Sequence, residues 1–551
     1  MTDVDVLVIG GGIAGAGVAL EASRRGLVVM LVEARDFAWG SSSRSSKLVH
    51  GGLRYLREGA FGLTRESVRE RSRLLQDAPG LVEPQRFLMG HYEGRSPSRR
   101  TLAAGLAIYD AMAGMRTRAF HLPDEVRALS PHLDMAQLLG ASSYLDAKTD
   151  DSRLVMRVLQ EARQHGARVY NRAAVKSLLR AGDADMPLSE LAPTVKPGTV
   201  VGARIDGAGF SGRVRARCVI NATGFWADGL RRGLGTPMLR PLRGSHLVFP
   251  LWKLPVAQSV SLLHPRDGRP VFATPWEGVA LVGTTDLDHH EDPDIEPTIT
   301  ARETAYLVEA VRHAFPRLDL RGADAICSFA GVRPVVDDQA SGRDPSKAPR
   351  EHVVRDEQGL ITVTGGKLTT FRVNALDALR HAAPYLAAAP RRGGFGPTVV
   401  AGAESTDDAA AMSADDFAYQ QADSIFARTP GPAEFAALPH GLRTRLLGRF
   451  GPHAPALLAE AAPADLRTVA GTSTAWAELH WALRHEQVRF LDDLLLRRTR
   501  LGLLLPDGAA ALLPRIEPIA REALGWSAGE WRDQRDRYAR LIAQCYTVPT
   551  P

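Results

Sequence analysis

The chain has 551 residues, which is too long for one simple core and predicts two to four domains. Its composition, 45% apolar and 24% charged, is ordinary for a globular protein, and the net charge of +6 favours anionic partners such as phosphate esters, dinucleotides or an acidic membrane surface. Nucleic-acid binding is not expected because the basic residues are interspersed with 62 acidic ones, and three widely spaced cysteines indicate neither a disulfide framework nor a metal cluster.

The N-terminus carries no signal-peptide pattern, since the acidic Asp3 and Asp5 stand where a positively charged region would be needed. No stretch approaches the roughly 18 apolar residues that a membrane-spanning helix requires. These two features predict a cytoplasmic protein, attached at most to the surface of a membrane.

The first 33 residues predict a strand, a turn, a helix and a second strand. Residues 4–9 are apolar and β-branched, residues 13–25 have a helical packing face, and residues 27–32 form a second apolar run that ends at Glu33. This is one βαβ unit of the length that a nucleotide-binding module requires.

The turn of this unit matches the pattern G-x-G-x-x-G, with the sequence Gly10-Gly11-Gly12-Ile13-Ala14-Gly15. Gly10 permits the tight turn, Gly12 lets a pyrophosphate approach the backbone, and Gly15 lets the helix pack on the sheet. The helix N-terminus offers N–H groups to the phosphates, and a carboxylate such as Glu33 binds ribose hydroxyls and disfavours a 2′-phosphate. The sequence therefore predicts a dinucleotide site.

Further along the chain, the residue pattern predicts an amphipathic helix at 64–76, a helix at 153–165 and a strand at 167–170. Residues 182–200 are rich in Pro, Asp and Gly and predict a surface hairpin or an insertion. Strand-like runs follow at 215–222, 245–250, 270–274 and 279–284. Their mixed spacing predicts an antiparallel sheet beside the parallel one.

Two later glycine turns indicate which dinucleotide is bound. Asn221-Ala222-Thr223-Gly224 follows an apolar run, and Gly365-Gly366 follows the strand-like residues 360–364 and precedes a helix. FAD-linked oxidoreductases commonly have an Ala-Thr-Gly turn near the flavin. Three such turns suit a molecule as long as FAD.

The composition shifts around 387–412, where alanine, proline and glycine dominate, and this predicts a domain boundary. Beyond it, helical patterns are predicted at 436–449, 453–461, 475–500 and 527–545. The C-terminal part is therefore expected to form a separate helical domain.

Several cations and polar groups lie beside glycine-rich turns and predict a site for a small anion. His50, Arg54 and Tyr55 share one short segment with Gly51-Gly52, and Arg333 lies in Ala330-Gly-Val-Arg-Pro334. Arg350 and Lys367 follow. Arginine matches phosphate oxygens with two parallel hydrogen bonds, whereas lysine acts as a movable point charge.

Together these motifs resemble one family, the FAD-dependent glycerol-3-phosphate dehydrogenases. The resemblance extends along nearly the whole chain and is carried by Ile9–Gly17, Ser42–Leu56, Gly244–His246, Gly283–Asp286, Gly331–Pro334, Gly365–Thr370, Ala477–Glu486 and Leu494–Leu501. It implies oxidation of sn-glycerol 3-phosphate to dihydroxyacetone phosphate, with electrons passing from FAD to a quinone. A peripheral membrane contact and a homodimer are further implications.

The resemblance also implies roles for individual residues. Arg54, Tyr55 and Arg350 would hold the phosphate, Arg333 and Lys367 would lie near the C1 and C2 oxygens, and His50 would lie near the reacting carbon. Oxidation at C2 requires a base for the hydroxyl proton, for which His50 is the first choice and His246, a further substrate-binding candidate, the second. The residues that would contact FAD are Gly10, Gly11, Gly12, Ile13, Ala14, Gly15, Glu33, Ala34, Ser42, Ser43, Lys47, Leu48, Val175, Ala222, Thr223, Gly224, Gly366, Lys367, Leu368 and Thr369.

The implied fold is α/β: a Rossmann-like FAD-binding domain and an antiparallel-sheet substrate domain, of the glutathione-reductase and glycine-oxidase kind, followed by an all-helical domain. The oxidoreductase region would cover residues 1–390. Its FAD-binding segments would lie at about 1–80, 145–245 and 325–385, and its substrate-domain segments at about 81–144 and 246–324. Residues 391–412 would form a linker and 413–551 the helical domain.

Three alternatives remain open. An oxidase of the same substrate would pass its electrons to oxygen and share the substrate motifs. A glycine-oxidase relative would bind a carboxylate and would not need so many convergent cations. A non-catalytic FAD-dependent scaffold is disfavoured by the presence of His50, Arg333 and Lys367.

Overall fold

The computed structural model describes residues 1–94, 97–336, 351–387, 424–426 and 433–549. The chain divides into two compact units. The first unit comprises Met1–Ser42, Leu154–Pro241 and Arg333–Phe426, and the second comprises Ser43–Arg153, Leu242–Val332 and Ala427–Pro551. Each unit is therefore assembled from three separate stretches of sequence.

The strands of the described residues are, in chain order, β1 (Thr2–Ile9), β2 (Val29–Val32), β3 (Leu48–Val49), β4 (Val82–Tyr92), β5 (Ala119–His121), β6 (Leu138–Thr149), β7 (Arg168–Tyr170), β8 (Ala174–Arg180), β9 (Val200–Asp206), β10 (Gly212–Asn221), β11 (Leu239–Pro250), β12 (Ser259–Leu263), β13 (Pro270–Trp276), β14 (Val279–Gly283), β15 (Leu287–Asp288), β16 (Cys327–Val336), β17 (His352–Glu357) and β18 (Leu360–Gly365).

The α-helices of the same residues are α1 (Ile13–Arg24), α2 (Leu53–Arg57), α3 (Phe61–Asp77), α4 (Arg99–Ala113), α5 (Pro123–Leu129), α6 (Asp151–Gln164), α7 (Ala227–Leu230), α8 (Ala301–Ala314), α9 (Phe371–Ala387), α10 (His440–Phe450), α11 (Ala454–Glu460), α12 (Trp476–His485), α13 (Leu501–Leu504), α14 (Pro506–Ala509), α15 (Leu513–Leu524) and α16 (Ala528–Leu541). None of them is both long and apolar enough to cross a bilayer.

The first unit is built on a sheet with the strand order β17-β18-β10-β1-β2-β7, to which β9 and β8 add as an antiparallel extension. Its central pairs, from β18 to β7, run parallel. Val6, Leu7 and Val8 of β1 are completely buried, as expected for a parallel strand that is covered on both faces. The predicted strand–turn–helix–strand at the N-terminus is confirmed as β1, α1 and β2.

The second unit contains a ten-stranded sheet with the order β15-β11-β14-β13-β12-β4-β6-β3, in which β16 pairs with β11 and β5 with β6. The strands predicted at 245–250, 270–274 and 279–284 form antiparallel pairs here, as expected. The run predicted at 215–222 instead forms β10 of the first sheet, parallel to β1. Its consecutive apolar residues Cys218, Val219 and Ile220 suit a parallel strand that is covered on both faces, and all three are completely buried.

The C-terminal helices pack on the second sheet through a shared apolar core. This core joins Trp476, Leu479 and Leu494 to Trp276 and Phe329. The α/β fold class with an antiparallel sheet and C-terminal helices is confirmed, and these helices share their core with the second sheet.

The prediction of a single helix at 475–500 is wrong. Helix α12 ends at His485, and Gln487 has a φ of +54°, which a right-handed helix does not allow. The carboxylate of Asp493 accepts N–H hydrogen bonds from Arg489 and Phe490, and a short π-helical turn, Asp493–Arg498, begins there. Helix α15, which the sequence pattern did not predict, has a proline in its first turn, where the missing N–H costs no hydrogen bond.

We predict that Gly15→Ala destabilises the first unit. A β-carbon at Gly15 would lie 2.0 Å from the carbonyl oxygen of Gly10, so the helix would have to move away from the strand. Overpacking of this kind costs about 1–3 kcal/mol, and a backbone clash should reach the upper end of that range. Calorimetric unfolding would measure the loss. Gly229→Ala in α7, where nothing lies within 4 Å of the new atom, is the matched control and should lose nothing.

Candidate active site

Three glycine turns of the first unit follow β1, β10 and β18, which are adjacent parallel strands. Ala222 donates its N–H to the carbonyl of Ile9 over 2.8 Å, and the hydroxyl of Thr364 donates to the carbonyl of Gly224 over 3.3 Å. The three turns therefore lie together at the carboxyl edge of the parallel sheet, where ligands bind in open α/β folds.

The first turn leaves room for a ligand close to the backbone. Gly10 has a φ of +114°, and a β-carbon there would lie 2.5 Å from the carbonyl oxygen of Ala222. A β-carbon on Gly12 would have only the Ser42 hydroxyl near it, at 3.1 Å. Ser42 also accepts the N–H of Ile13 at the start of α1. These residues fit a pyrophosphate, because backbone and helix N-terminus face a space that any larger side chain would fill.

Glu33 lies at the end of β2 and holds the glycine turn. One of its carboxylate oxygens accepts the N–H of Gly11 and the other that of Arg35, each over 2.7 Å. Burial raises the pKa of Glu33, while these two hydrogen bonds oppose the rise. Each oxygen keeps a second lone pair, so the carboxylate can also accept a ribose hydroxyl. The N–H of Ala173 donates to the carbonyl of Glu33. Val175, a predicted FAD contact, follows Ala173 by two positions in the chain.

The third turn ends in Lys367. Gly365 and Gly366 have φ values of +76° and +73°, and a β-carbon on Gly366 would lie 2.3 Å from the amide nitrogen of Asn374. Lys367 is half-buried and precedes the 3-10 turn Leu368–Thr370, from which α9 continues. This is the same arrangement of strand, glycines and helix N-terminus as in the first turn.

The predicted substrate residues of the second unit lie along one segment. Leu48 and Val49 form β3 and pair with β6, which fixes the half-buried His50 just beyond the strand. Gly52 has a φ of +77° and precedes α2, which carries Arg54 and the buried Tyr55. The Nε of Arg54 lies 3.3 Å from a carboxylate oxygen of Glu58, and about a third of the Arg54 side chain is exposed.

Lys47 is completely buried in the second unit. Its ammonium donates to the carbonyl of Ser43 over 2.6 Å and to the carboxylate of Asp151 over 2.8 Å. Burial and the charge of Arg500 lower the pKa of Lys47 to about 7, although the charge of Asp151 opposes the shift. The charge of Lys47, a predicted FAD contact, is therefore bound by protein groups in this structure.

His246 lies on β11, opposite Gly283 of β14. Its ring stacks on Phe329 with a centroid separation of 4.7 Å, and its Nε2 lies 2.9 Å from the hydroxyl of Ser46. A β-carbon at Gly283 would lie 2.2 Å from the imidazole, so only glycine fits there. The fold therefore brings the second candidate base against Ser46, which precedes the first candidate, His50, by four positions in the chain.

Two other candidates come later in the sequence. Arg333 is half-buried on β16, within the first unit. Arg350 lies outside the described residues. No group of three or more His, Cys, Asp or Glu in the described ranges could hold a metal ion.

Sequence reasoning missed the groups that hold the segment from Lys47 to Tyr55. Asp146 of β6 accepts the N–H of Gly51 over 3.1 Å, and Arg71 and Tyr109 donate to the same oxygen over 2.7 and 2.6 Å. Asp151 and Ser46 were likewise not identified. The available signal was the presence of acidic residues within and directly after the stretch 138–149, where an unpaired carboxylate would be costly if buried.

The sequence matches two family models. The model described as FAD dependent oxidoreductase matches residues 5–372, and the model described as the C-terminal domain of alpha-glycerophosphate oxidase matches residues 399–530.

Among curated proteins, the aerobic glycerol-3-phosphate dehydrogenase of Staphylococcus saprophyticus is 38% identical over 382 residues, which are 68% of this chain and 66% of that protein. The protein of the same name from Staphylococcus aureus is 35% identical over 382 residues, with the same coverage. The matched region therefore spans slightly less than two thirds of these relatives.

Two solved structures share the fold. The glycerol-3-phosphate dehydrogenase from Bacillus halodurans, complexed with FAD, has a TM-score of 0.68 at 24% identity and covers 98% of this chain and 94% of its own. The L-alpha-glycerophosphate oxidase from Mycoplasma pneumoniae, with FAD bound, has a TM-score of 0.53 at 19% identity and covers 69% and 94%.

The prediction of FAD as cofactor is confirmed by the family whose model covers residues 5–372. The glycine turns of the first unit leave room for a ligand close to the backbone, as a bound dinucleotide needs. The chain belongs to the FAD-dependent oxidoreductase family.

Proposed function

We propose that this protein oxidises sn-glycerol 3-phosphate to dihydroxyacetone phosphate and passes the electrons to a quinone. The observation that carries the proposal is the 382-residue match to relatives named aerobic glycerol-3-phosphate dehydrogenase. The segment from Lys47 to Tyr55 supports it, since an ordered backbone there presents a histidine, an arginine and a tyrosine within six residues.

FAD, when bound, supplies the acceptor for the hydride that leaves C2. The protein must remove the proton of the C2 hydroxyl at the same carbon, and we assign this to His50. Its position at the end of β3 and before Gly51, whose N–H is bound by Asp146, restricts its movement. A base held in place in this way avoids the entropic cost of being ordered during the reaction.

Cations complete the proposed site. Arg54, Tyr55 and Arg350 hold the phosphate, and Arg333 and Lys367 stabilise negative charge that develops on the C2 oxygen and orient the C1 hydroxyl. Arginine suits a phosphate because its planar fork donates two parallel hydrogen bonds. The exposed part of Arg54 leaves it able to reach an incoming anion.

The acceptor and the cellular location follow from the same proposal. A quinone is confined to the bilayer, so we propose a cytoplasmic protein that attaches to the membrane surface, as a homodimer. A second candidate function is a glycerol-3-phosphate oxidase that reduces oxygen to peroxide. The match of residues 399–530 to the C-terminal domain of alpha-glycerophosphate oxidase favours this alternative.

An anaerobic titration of the purified protein with sn-glycerol 3-phosphate should bleach the flavin absorbance, because a bound two-electron donor reduces FAD. Two compounds serve as controls: glycerol, which is the substrate without its phosphate, and glycine. Neither should change the spectrum. Bleaching by glycine alone would overturn the proposal in favour of a glycine-oxidase-like enzyme, and no bleaching by any donor would favour a scaffold.

The acceptor is tested on the flavin reduced in that titration. We expect a soluble quinone analogue to reoxidise it rapidly without oxygen, whereas air should reoxidise it slowly and with little peroxide. Rapid reoxidation in air with one peroxide per flavin would replace the dehydrogenase by the oxidase.

His50→Gln should lower the limiting rate of flavin reduction by at least about 100-fold, since general-base catalysis contributes 10²–10⁴-fold. The rate of the unaltered protein should rise with pH as its base loses a proton, and the variant should lack this rise. Stopped-flow absorbance across pH would measure both. His290→Gln, at an exposed position, is the control and should behave as the unaltered protein. If His246→Gln lost the rise instead, the base would be His246.

A further inference from the structure

A corner of four consecutive polar residues joins β6 to α6 in the second unit. All four, Asp150–Arg153, are buried. Each contacts at least one residue of the C-terminal helical segment, defined here as residues 433–549. The contacts are Arg449 with the Asp150 carboxylate at 2.7 Å, Arg500 with the Asp151 carboxylate at 3.2 Å, the Ser152 hydroxyl with the carbonyl of Arg497 at 2.8 Å, and Arg153 with Glu486 at 2.6 Å.

Asp151 differs from its neighbours because it also contacts the segment Ser43–Lys47. One carboxylate oxygen accepts the N–H of Ser45 over 2.9 Å, its hydroxyl over 2.7 Å and the ammonium of Lys47 over 2.8 Å. The other oxygen accepts from Arg500, whose guanidinium also donates to the carbonyl of Ser43 over 2.7 Å. The Asp151 carboxylate thus connects Arg500 to Ser45 and Lys47, and Arg500 binds Ser43 directly.

The charges of this network are fully removed from solvent. Lys47 and Asp151 have no exposed surface and Arg500 is 1% exposed. Arg500 and Lys47 both adopt positive φ values, +65° and +60°, which are uncommon for residues other than glycine. Such a conformation persists only where the surroundings fix it, and here the fixing partners are Asp151, Ser43 and the carbonyl of Leu496.

The segment Ser43–Lys47 has a functional residue at each end. Immediately before it, Ser42 accepts the N–H of Ile13 at the start of α1, in the dinucleotide turn. Shortly after it, β3 leads to His50. A second anchor, Asp146 on Gly51, holds the chain beyond His50 and leads to α2 with Arg54 and Tyr55.

We propose that Arg500 is a positioning residue through which the C-terminal helical segment orients Ser43–Lys47. Arg500 acts on Asp151, and Asp151 sets the backbone that carries Ser42 on one side and His50 on the other. FAD affinity depends on the position of Ser42, and proton removal depends on the position of His50. Substrate affinity is independent of Arg500, because Arg54 and Tyr55 are held by the anchor at Asp146. The catalytic part of this proposal rests on the proposed function.

The variant Arg500→Lys keeps the charge, but its single nitrogen cannot take the places of both terminal guanidinium nitrogens, one of which donates to Leu496 and the other to Ser43 and Asp151. Its FAD dissociation constant should rise at least about tenfold, as expected when a buried charge-assisted hydrogen bond is lost. The limiting rate of flavin reduction should fall by about tenfold or more, whereas the substrate concentration for half the rate should change by less than about twofold. Ser45→Ala, a milder change in the same network, should move FAD affinity and rate in the same direction by a few-fold.

Arg449→Lys is the matched control. It alters a buried arginine–aspartate pair at the same corner, but Arg449 does not contact Ser43–Lys47 through any hydrogen bond of the described structure. It should lower the thermal midpoint, and leave FAD affinity and the limiting rate as in the unaltered protein. Titration calorimetry with FAD and stopped-flow reduction, both on the full chain, supply the measurements.

Equal changes of FAD affinity and rate in Arg449→Lys and Arg500→Lys would overturn the proposal, since the corner would then act only on stability. The proposal would also be overturned if neither Ser45→Ala nor Arg500→Lys changed the FAD affinity or the limiting rate. A failure of the unaltered protein to bleach with sn-glycerol 3-phosphate would reject the proposed function alone, because the comparison of FAD affinities among the variants still decides the role of Arg500.

Discussion

The close approach of backbone to backbone at Gly10 is the constraint on which the first unit depends. With a β-carbon at this position, the turn could not pass the carbonyl of Ala222, and β1 and β10 could not keep their parallel register into the turn. The same approach brings the second glycine turn beside the first. Gly15 then allows α1 to lie against the turn, so the helix N-terminus is directed at the space left beside Gly12.

The second unit depends on buried charge rather than on glycine. A carboxylate removed from water is costly unless it is paired and fully hydrogen-bonded. Asp146 and Asp151 satisfy this condition by binding backbone and side-chain donors of the segment that carries His50. Because the cost of an unpaired buried carboxylate is high, the segment is held in one position without the support of a long strand or helix.

These two arrangements suit the two parts of the proposed chemistry. A dinucleotide needs backbone N–H groups and space, which glycine turns at the edge of a parallel sheet provide. Proton removal needs a side chain in a fixed position, which buried ion pairs provide. The C-terminal helical segment contributes to the second requirement, since its arginines neutralise the acidic corner after β6. At Asp150, burial by itself raises the pKa, but the charges of Arg449 and Arg500 lower it to about 2.

The sequence by itself determined the features that are local. The βαβ unit, the three glycine turns and Glu33 follow from periodicity and from residue types a few positions apart, and the structure has them at nearly the predicted boundaries. It also marked His50, Arg54 and Tyr55 as one segment. The extent of α12 was missed, because Glu486 and Asp493 bind partners outside the helix and interrupt a pattern that otherwise reads as continuous.

Only the tertiary structure decided which distant residues meet. His246 reaches Ser46 across 200 positions, Asp151 reaches Ser45 across 106, and Arg500 reaches Asp151 across 349. No local pattern encodes these pairs, because each depends on the register of strands and on how helices pack over them. Buried charges restrict which residues can meet, because an arrangement that leaves an aspartate or arginine unpaired in the interior is strongly destabilised.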